Sequence, residues 1–114
     1  MSKILHSIHS RYSKYFNNRH QRTGHVFQGP FHTSIVEKEA YLLIASRYIH
    51  LNPVRARLCK SASEYTWTSM KAYLDPAGDP LHLVDVQLIL SMSAAIPSLQ
   101  RSAYRQLVLG TNLA

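Results

Sequence analysis

Apolar residues recur along positions 2–17 at the three- and four-residue spacing of a helix: Ile4, Leu5, Ile8, Tyr12, Tyr15 and Phe16. Lys3, Arg11 and Lys14 fall on the opposite side, and Ser2 stands where a cap is expected. The rhythm breaks over 17–24, a polar, basic loop ending on a glycine turn. The period then changes. Segments 26–28 and 31–36 read as extended, split by Gly29-Pro30, and Phe31, Thr33 and Ile35 alternate with His32, Ser34 and Val36. A strand does not stand alone, however, and the rest of the chain barely supplies a partner. Positions 38–52 carry the strongest helical pattern, with Ala40, Tyr41, Ile44, Ala45, Tyr48, Leu51 and Asn52 on one broad face. Pro53 is expected to end or bend that helix, with one further turn over 54–58. Loop dominates 60–80, with a short helix over 68–74 and a linker signal at Asp75-Pro76-Ala77-Gly78-Asp79-Pro80. Two small helices follow at 84–92 and 98–109, the second stopped by Gly110.

With 114 residues and 46% apolar content, the chain has room for one small core. Thirteen basic residues against six acidic give a net charge of +7 and a pI near 9.9. That excess favours a polyanionic partner, nucleic acid or an anionic membrane surface. The single cysteine, Cys59, excludes an intramolecular disulfide framework and any multi-cysteine zinc site. The longest apolar run, 40–45, is far short of the ~18 residues of a membrane span. With no signal-peptide core at the start, a soluble cytoplasmic protein is the default expectation.

The basic residues concentrate. Arg11, Lys14, Arg19 and Arg22 lie along the first helix and its exit loop, and Arg55 and Arg57 follow the second. Each near a phosphate would add salt-sensitive affinity through counterion release. Tyr12, Tyr15, Phe16 and Phe27 interleave with them, and aromatic rings beside a basic groove suit stacking with unpaired bases. For any single residue the plainer alternative is a solvated charge or a core aromatic. The one-sided sign of the whole set favours the nucleic-acid reading.

Tyr48 and Asn52 are four apart, so their side chains meet on one helix face. A tyrosine oxygen is a usable nucleophile where its pKa of about 10 is offset. A divalent metal that polarises a target phosphate would help, and an asparagine carbonyl is a hard donor suited to Mg²⁺ or Mn²⁺. On spacing alone, Tyr48 equally suits a core aromatic, and Asn52 before Pro53 equally suits a helix-terminating residue.

The ordered run of Tyr15-Phe16-Asn17, Arg22-Thr23-Gly24-His25-Val26-Phe27-Gln28-Gly29, Tyr41-Leu42-Leu43, Ser46-Arg47-Tyr48-Ile49-His50-Leu51-Asn52-Pro53-Val54-Arg55-Ala56 and Tyr65-Thr66-Trp67-Thr68-Ser69 resembles the REP-associated tyrosine transposases. These are a branch of the single-tyrosine HUH transposases of bacterial insertion sequences. Ala103-Tyr104-Arg105-Gln106-Leu107-Val108 and Gly110 are similar to that family's C-terminal extension, so the likeness covers nearly the whole chain.

The resemblance implies an α+β fold. The chain would be the mostly helical remainder of a ferredoxin-like (βαββαβ-type) domain with one or two strands, plus small C-terminal helices. It implies the catalytic part over 1–74, a linker over 75–80 and a helical extension over 81–114. It also implies cleavage and rejoining of single-stranded DNA at hairpin-bearing ends, through a 5′-phosphotyrosine on the residue matching Tyr48. Asn52 matches a metal-ligand position, and Arg47 and Arg55 join Arg11, Lys14, Arg19 and Arg22 as DNA contacts. The family holds Mg²⁺ or Mn²⁺ mainly through a His-hydrophobic-His pair, and no two of the seven histidines here are separated by a single residue. In the family that pair precedes the helix matching 2–17, so the chain reads as a C-terminal portion that does not bind the metal by itself. His6 and His9 have a helical spacing that permits shared ligation, but they are displaced from one another around the helix. Pro30 stands where the family usually has arginine. Arg57 stands where glycine is common, which predicts strain if that position needs a positive φ.

The expected partner is DNA, single-stranded or hairpin, with no membrane role. A second copy completing the sheet, hence a homodimer, is one further expectation. A non-catalytic DNA-binding remnant and a helical structural protein are the alternatives to an enzyme.

Overall fold

The computed structural model describes residues 2–29 and 31–110. Two compact units divide the chain, Met1–Ser34 and Ile35–Ala114. The N-terminal unit is one long helix, α1 (Ser2–Arg19), followed by a loop that turns at two positive-φ glycines, Gly24 and Gly29. Asn17 ties the loop back to the helix by donating its Nδ2 hydrogen to the Gly24 carbonyl at 3.1 Å. Phe27 lies on the His9 ring with centroids 4.2 Å apart, and Phe31 meets the same imidazole edge-on at 5.7 Å. No residue of α1 is buried, and Ile4, Ile8, Tyr12 and Tyr15 on its apolar side are exposed. The amphipathic helix read from the sequence is therefore present, while its apolar stripe is left open.

The expected strand over 31–36 does not form, and no strand occurs among the described residues. Its period-two pattern has no second ladder to accept and donate the backbone hydrogen bonds. Ile35 is left 88% exposed as a result.

The C-terminal unit is a small helical assembly. Its elements are α2 (Glu39–Arg55), α3 (Met70–Leu74), a 3-10 turn at Pro76–Gly78, α4 (Gln87–Ser93) and α5 (Pro97–Leu109). More than half of the described residues are helical, so the fold is mostly α. The anticipated linker at 75–80 lies inside this unit. Asp75 accepts from the Ala77 N–H at 2.9 Å, which caps the turn begun by Pro76. Asp79 accepts from Val84 N–H at 2.7 Å, and backbone donors there hold its carboxyl below the usual range. Gly78 packs directly on the Lys71 carbonyl, where a Cβ would collide with backbone. Pro97 opens α5 at a position whose N–H has no intrahelical partner to lose.

Helix α2 does not stop at Asn52 but carries Pro53 inside it and ends at Arg55. The C-terminus closes as a Schellman motif: Leu58 N–H donates to Pro53 O at 2.9 Å and Arg57 N–H to Val54 O at 3.0 Å. That closure needs a left-handed residue, and Arg57 supplies it at φ 60°. The strain anticipated at this position is therefore present. Arg57→Gly is expected to stabilise the unit by about 1 kcal/mol, because a side chain in this conformation costs about 1–2 kcal/mol that glycine avoids. A rise in the urea midpoint at unchanged slope checks this, and an unchanged midpoint overturns it.

The core joins Leu51, Ala62, Met70, Tyr73, Ile89, Leu90, Tyr104 and Val108, drawing on all four α-helices of the unit. Two arginines knit helix backbones together. Arg101 donates to Ala72 O at 2.7 Å, and Arg47 donates through Nε to Leu107 O at 3.0 Å. Trp67 stands at the surface, 84% exposed.

Candidate functional site

The buried side of α2 is not the side its apolar pattern predicts. Tyr41, Ile44, Tyr48 and Ile49 are exposed, whereas His50, Leu51 and Pro53 are buried and Ser46 is half-buried. The polar residues are drawn in because they have partners. His50 Nδ1 lies 2.6 Å from the Tyr104 hydroxyl and its Nε2 lies 2.8 Å from Ser69 Oγ. The same tyrosine hydroxyl lies 2.6 Å from Ser46 Oγ. A continuous chain Ser46–Tyr104–His50–Ser69 thus crosses the core, with Tyr73 stacked on Tyr104 at 4.9 Å. A neutral imidazole suits it, one ring nitrogen donating and the other accepting. Burial pushes the His50 pKa down to about 4 and that of Tyr104 up to about 12. The signal for this network in the sequence is the polar i, i+4 pair Ser46 and His50 on one face, which the apolar periodicity masked.

Tyr48 is correspondingly not committed to the core, being 54% exposed. This corrects the core-aromatic alternative. Asn52 is exposed one turn later on the same face. A groove of about 280 Å³ runs past it, walled by Ile49, Pro53, Ala56, Leu58, Tyr65 and Thr68. The Arg55 guanidinium carbon stands 5.0 Å from the centre of the Tyr48 ring, within cation–π range. The structure thus brings Tyr48, Asn52 and Arg55 to one exposed helix face. Arg47 is different: it is half-buried, and its Nε–H is spent on the end of α5.

The remaining predicted DNA contacts lie in the N-terminal unit and are exposed. Arg19 donates to the Tyr15 hydroxyl at 2.8 Å, Arg22 sits over Phe16 at 5.4 Å, and Arg11 and Lys14 are exposed on α1. The charge of this unit is unmixed. Five of the thirteen Lys and Arg and none of the six Asp and Glu fall within 1–34. Every carboxylate side chain is in the other unit, so nothing in the first one neutralises its field from within.

No group of three or more His, Cys, Asp or Glu side chains converges on a metal-sized site among the described residues. His9, one half of the pair with helical ligand spacing, is instead engaged in ring contacts with Phe27 and Phe31. No helix among them is long and apolar enough to cross a membrane. Pro30, the departure from the family's arginine, lies outside the described residues. The chain matches no protein-family model, no curated protein and no solved structure.

Proposed function

We propose that this chain is a transposase-family DNA-binding protein whose nucleophile is Tyr48. It resembles the enzymes that cut and rejoin single-stranded DNA at hairpin-bearing ends. On this reading α1 and α2 are the helical remainder of a ferredoxin-like domain, and 81–114 is its helical extension. The observation that carries the proposal is the open placement of Tyr48, more than half exposed on a helix face shared with Asn52 and Arg55.

The chemistry is a transesterification. The Tyr48 oxygen forms a bond to the backbone phosphorus as the bond from phosphorus to the 3′-oxygen breaks. The phenolic proton leaves to solvent or a base, and the departing 3′-oxygen takes up a proton. A 5′-phosphotyrosine and a free 3′-hydroxyl result, and attack by a later 3′-hydroxyl on that linkage rejoins DNA and restores the tyrosine. Arg55 beside the ring is placed to attract the phosphate and to steady negative charge on the reacting oxygens. The residues present do not make the divalent-metal site that the resemblance implies. Asn52 offers a single neutral oxygen, and no group of three or more His, Cys, Asp or Glu side chains that could hold a metal ion occurs among the described residues.

That same donor set favours a second reading, a chain that binds single-stranded DNA without cutting it. The two separate on one gel. With hairpin-tailed single-stranded DNA and Mn²⁺, the catalytic reading expects a covalent protein–DNA band that disappears in Tyr48→Phe. The binding-only reading expects no band with either protein, equal affinity of both, and steep weakening with salt. A flat salt response rejects both.

A further inference from the structure

Beside the groove at Asn52 lies a second cavity, of about 370 Å³. Thr68 lines both. Thr66, Trp67, Asp79, Leu83 and Val84 are among the walls of the second. A recess therefore extends from Asn52 past Tyr65 and Thr68 to Trp67, all within the C-terminal unit.

Trp67 is the unusual residue along it. Indoles are on average well buried, because a large apolar ring gains by leaving water. Here the side chain is almost wholly exposed, and it takes part in none of the ring stacks or cation–π contacts among the described residues. Leu83, in the same cavity, is exposed as well. A lone exposed apolar side chain needs no explanation, but an indole and a leucine lining one recess make a surface that a flat apolar group can cover.

The charges select the occupant. Ala56 stands in the groove wall, and its neighbours in the chain are Arg55 and Arg57, both exposed. The one carboxylate lining either cavity, Asp79, already accepts from the Val84 N–H. Cations at one end and a bare ring at the other fit a single strand, whose phosphates are anionic and whose bases stack. An apolar protein segment would use the indole but not the two arginines.

We infer that the strand whose backbone meets Tyr48 runs on along this recess and lays one unpaired base on Trp67. Its phosphates lie toward Arg55 and Arg57. The inference rests on the proposed function and extends its DNA contact, with Trp67 a binding residue outside the chemistry. Every base has a π face, so the contact tolerates any sequence. Duplex bases are already stacked on one another, so the platform selects single strands.

Trp67 is the sole tryptophan, so its fluorescence reports the contact directly. The full chain carrying Tyr48→Phe, which cannot form the covalent bond, is titrated with dA and dT octamers and with a blunt duplex. Both octamers should strongly quench the indole emission, and the duplex should not. Trp67→Ala, followed by anisotropy of an end-labelled octamer, should weaken binding about five- to 150-fold, the range for losing one stacked base. The slope of log affinity against log salt should stay the same, since no charge is removed. Trp67→Phe should recover part of the loss. Arg55→Ala should lower that slope by about one and move the quenching midpoint to higher octamer concentration, which places the cation and the indole on one strand. Unchanged urea midpoints show that the variants are folded. Binding seen by anisotropy with no change in indole emission overturns the inference. Equal quenching by the duplex, or a midpoint indifferent to Arg55→Ala, does the same. Emission that shifts with protein concentration in the absence of DNA would assign the surface to a second copy and likewise overturn it. Failure of both octamers to bind would instead sink the nucleic-acid reading on which it stands.

Discussion

Tyr104→Ala is expected to abolish most of the stability of the C-terminal unit. The ring is completely buried, stacks on Tyr73 and meets His50 edge-on. Removing a buried aromatic typically costs about 3–5 kcal/mol through lost transfer energy and the void that remains. Here the hydroxyl also leaves, and with it the partner of both His50 Nδ1 and Ser46 Oγ. A stranded buried polar group adds about 1–3 kcal/mol. Set against a total of about 5–15 kcal/mol for a typical domain, the sum is most of what is available. Tyr104→Phe separates the two contributions, because it keeps the ring and removes only the bridging oxygen, and should cost about 1–3 kcal/mol. Urea unfolding followed by circular dichroism ranks the three proteins. An alanine variant within 1 kcal/mol of the parent would show that the stack and the bridge do not carry the fold.

Acidification is expected to weaken the same unit through His50. Burial holds its folded pKa at about 4, against 6.5 for the ordinary imidazole. Above pH 6.5 the group is neutral in both the folded and the unfolded chain, and the full contribution is present. As pH falls through 6.5 the unfolded chain takes up a proton that the folded one refuses until about pH 4. Stability is therefore lost across that window and levels off below it. At about 1.4 kcal/mol per pH unit the loss amounts to about 3 kcal/mol. The cost is one of desolvation rather than of hydrogen bonding, since a charged ring still finds Tyr104 and Ser69 as acceptors. His50→Gln keeps a polar side chain on the same helix and cannot titrate. Its stability should change less between pH 7 and pH 4 than that of the parent, by about the stated amount. Parallel pH profiles for the two proteins would refute the assignment.

Helices α1 and α5 were legible in the sequence because their ends are punctuated locally. Gly110 ends α5, and the polar stretch after Asn17 ends α1. The left-handed position at Arg57 was also legible, from a resemblance that places glycine there, and φ 60° bears it out. What was not legible is burial. Periodicity assigns Tyr41, Ile44 and Tyr48 to the inside of α2 because it weighs side chains one at a time. His50 and Ser46 are inside because a tyrosine 54 residues beyond the histidine satisfies them, and no local pattern encodes that pairing. The segment 31–36 failed for a related reason. Alternation reports a preference for extended backbone, but a strand exists only with a neighbour. At the candidate site, the spacing of Tyr48 and Asn52 was visible, whereas the access of Tyr48 to solvent and the stacking of Arg55 on it follow from which face of α2 the core takes.

The single tryptophan, Trp67, lies 84% exposed and outside the core. Its indole already emits from an aqueous environment while the protein is native, so heating or urea should barely move its emission maximum. The aromatic signal that tracks the collapse of this molecule is instead the near-ultraviolet dichroism of the stacked phenols at 73 and 104, which vanishes when their fixed geometry does.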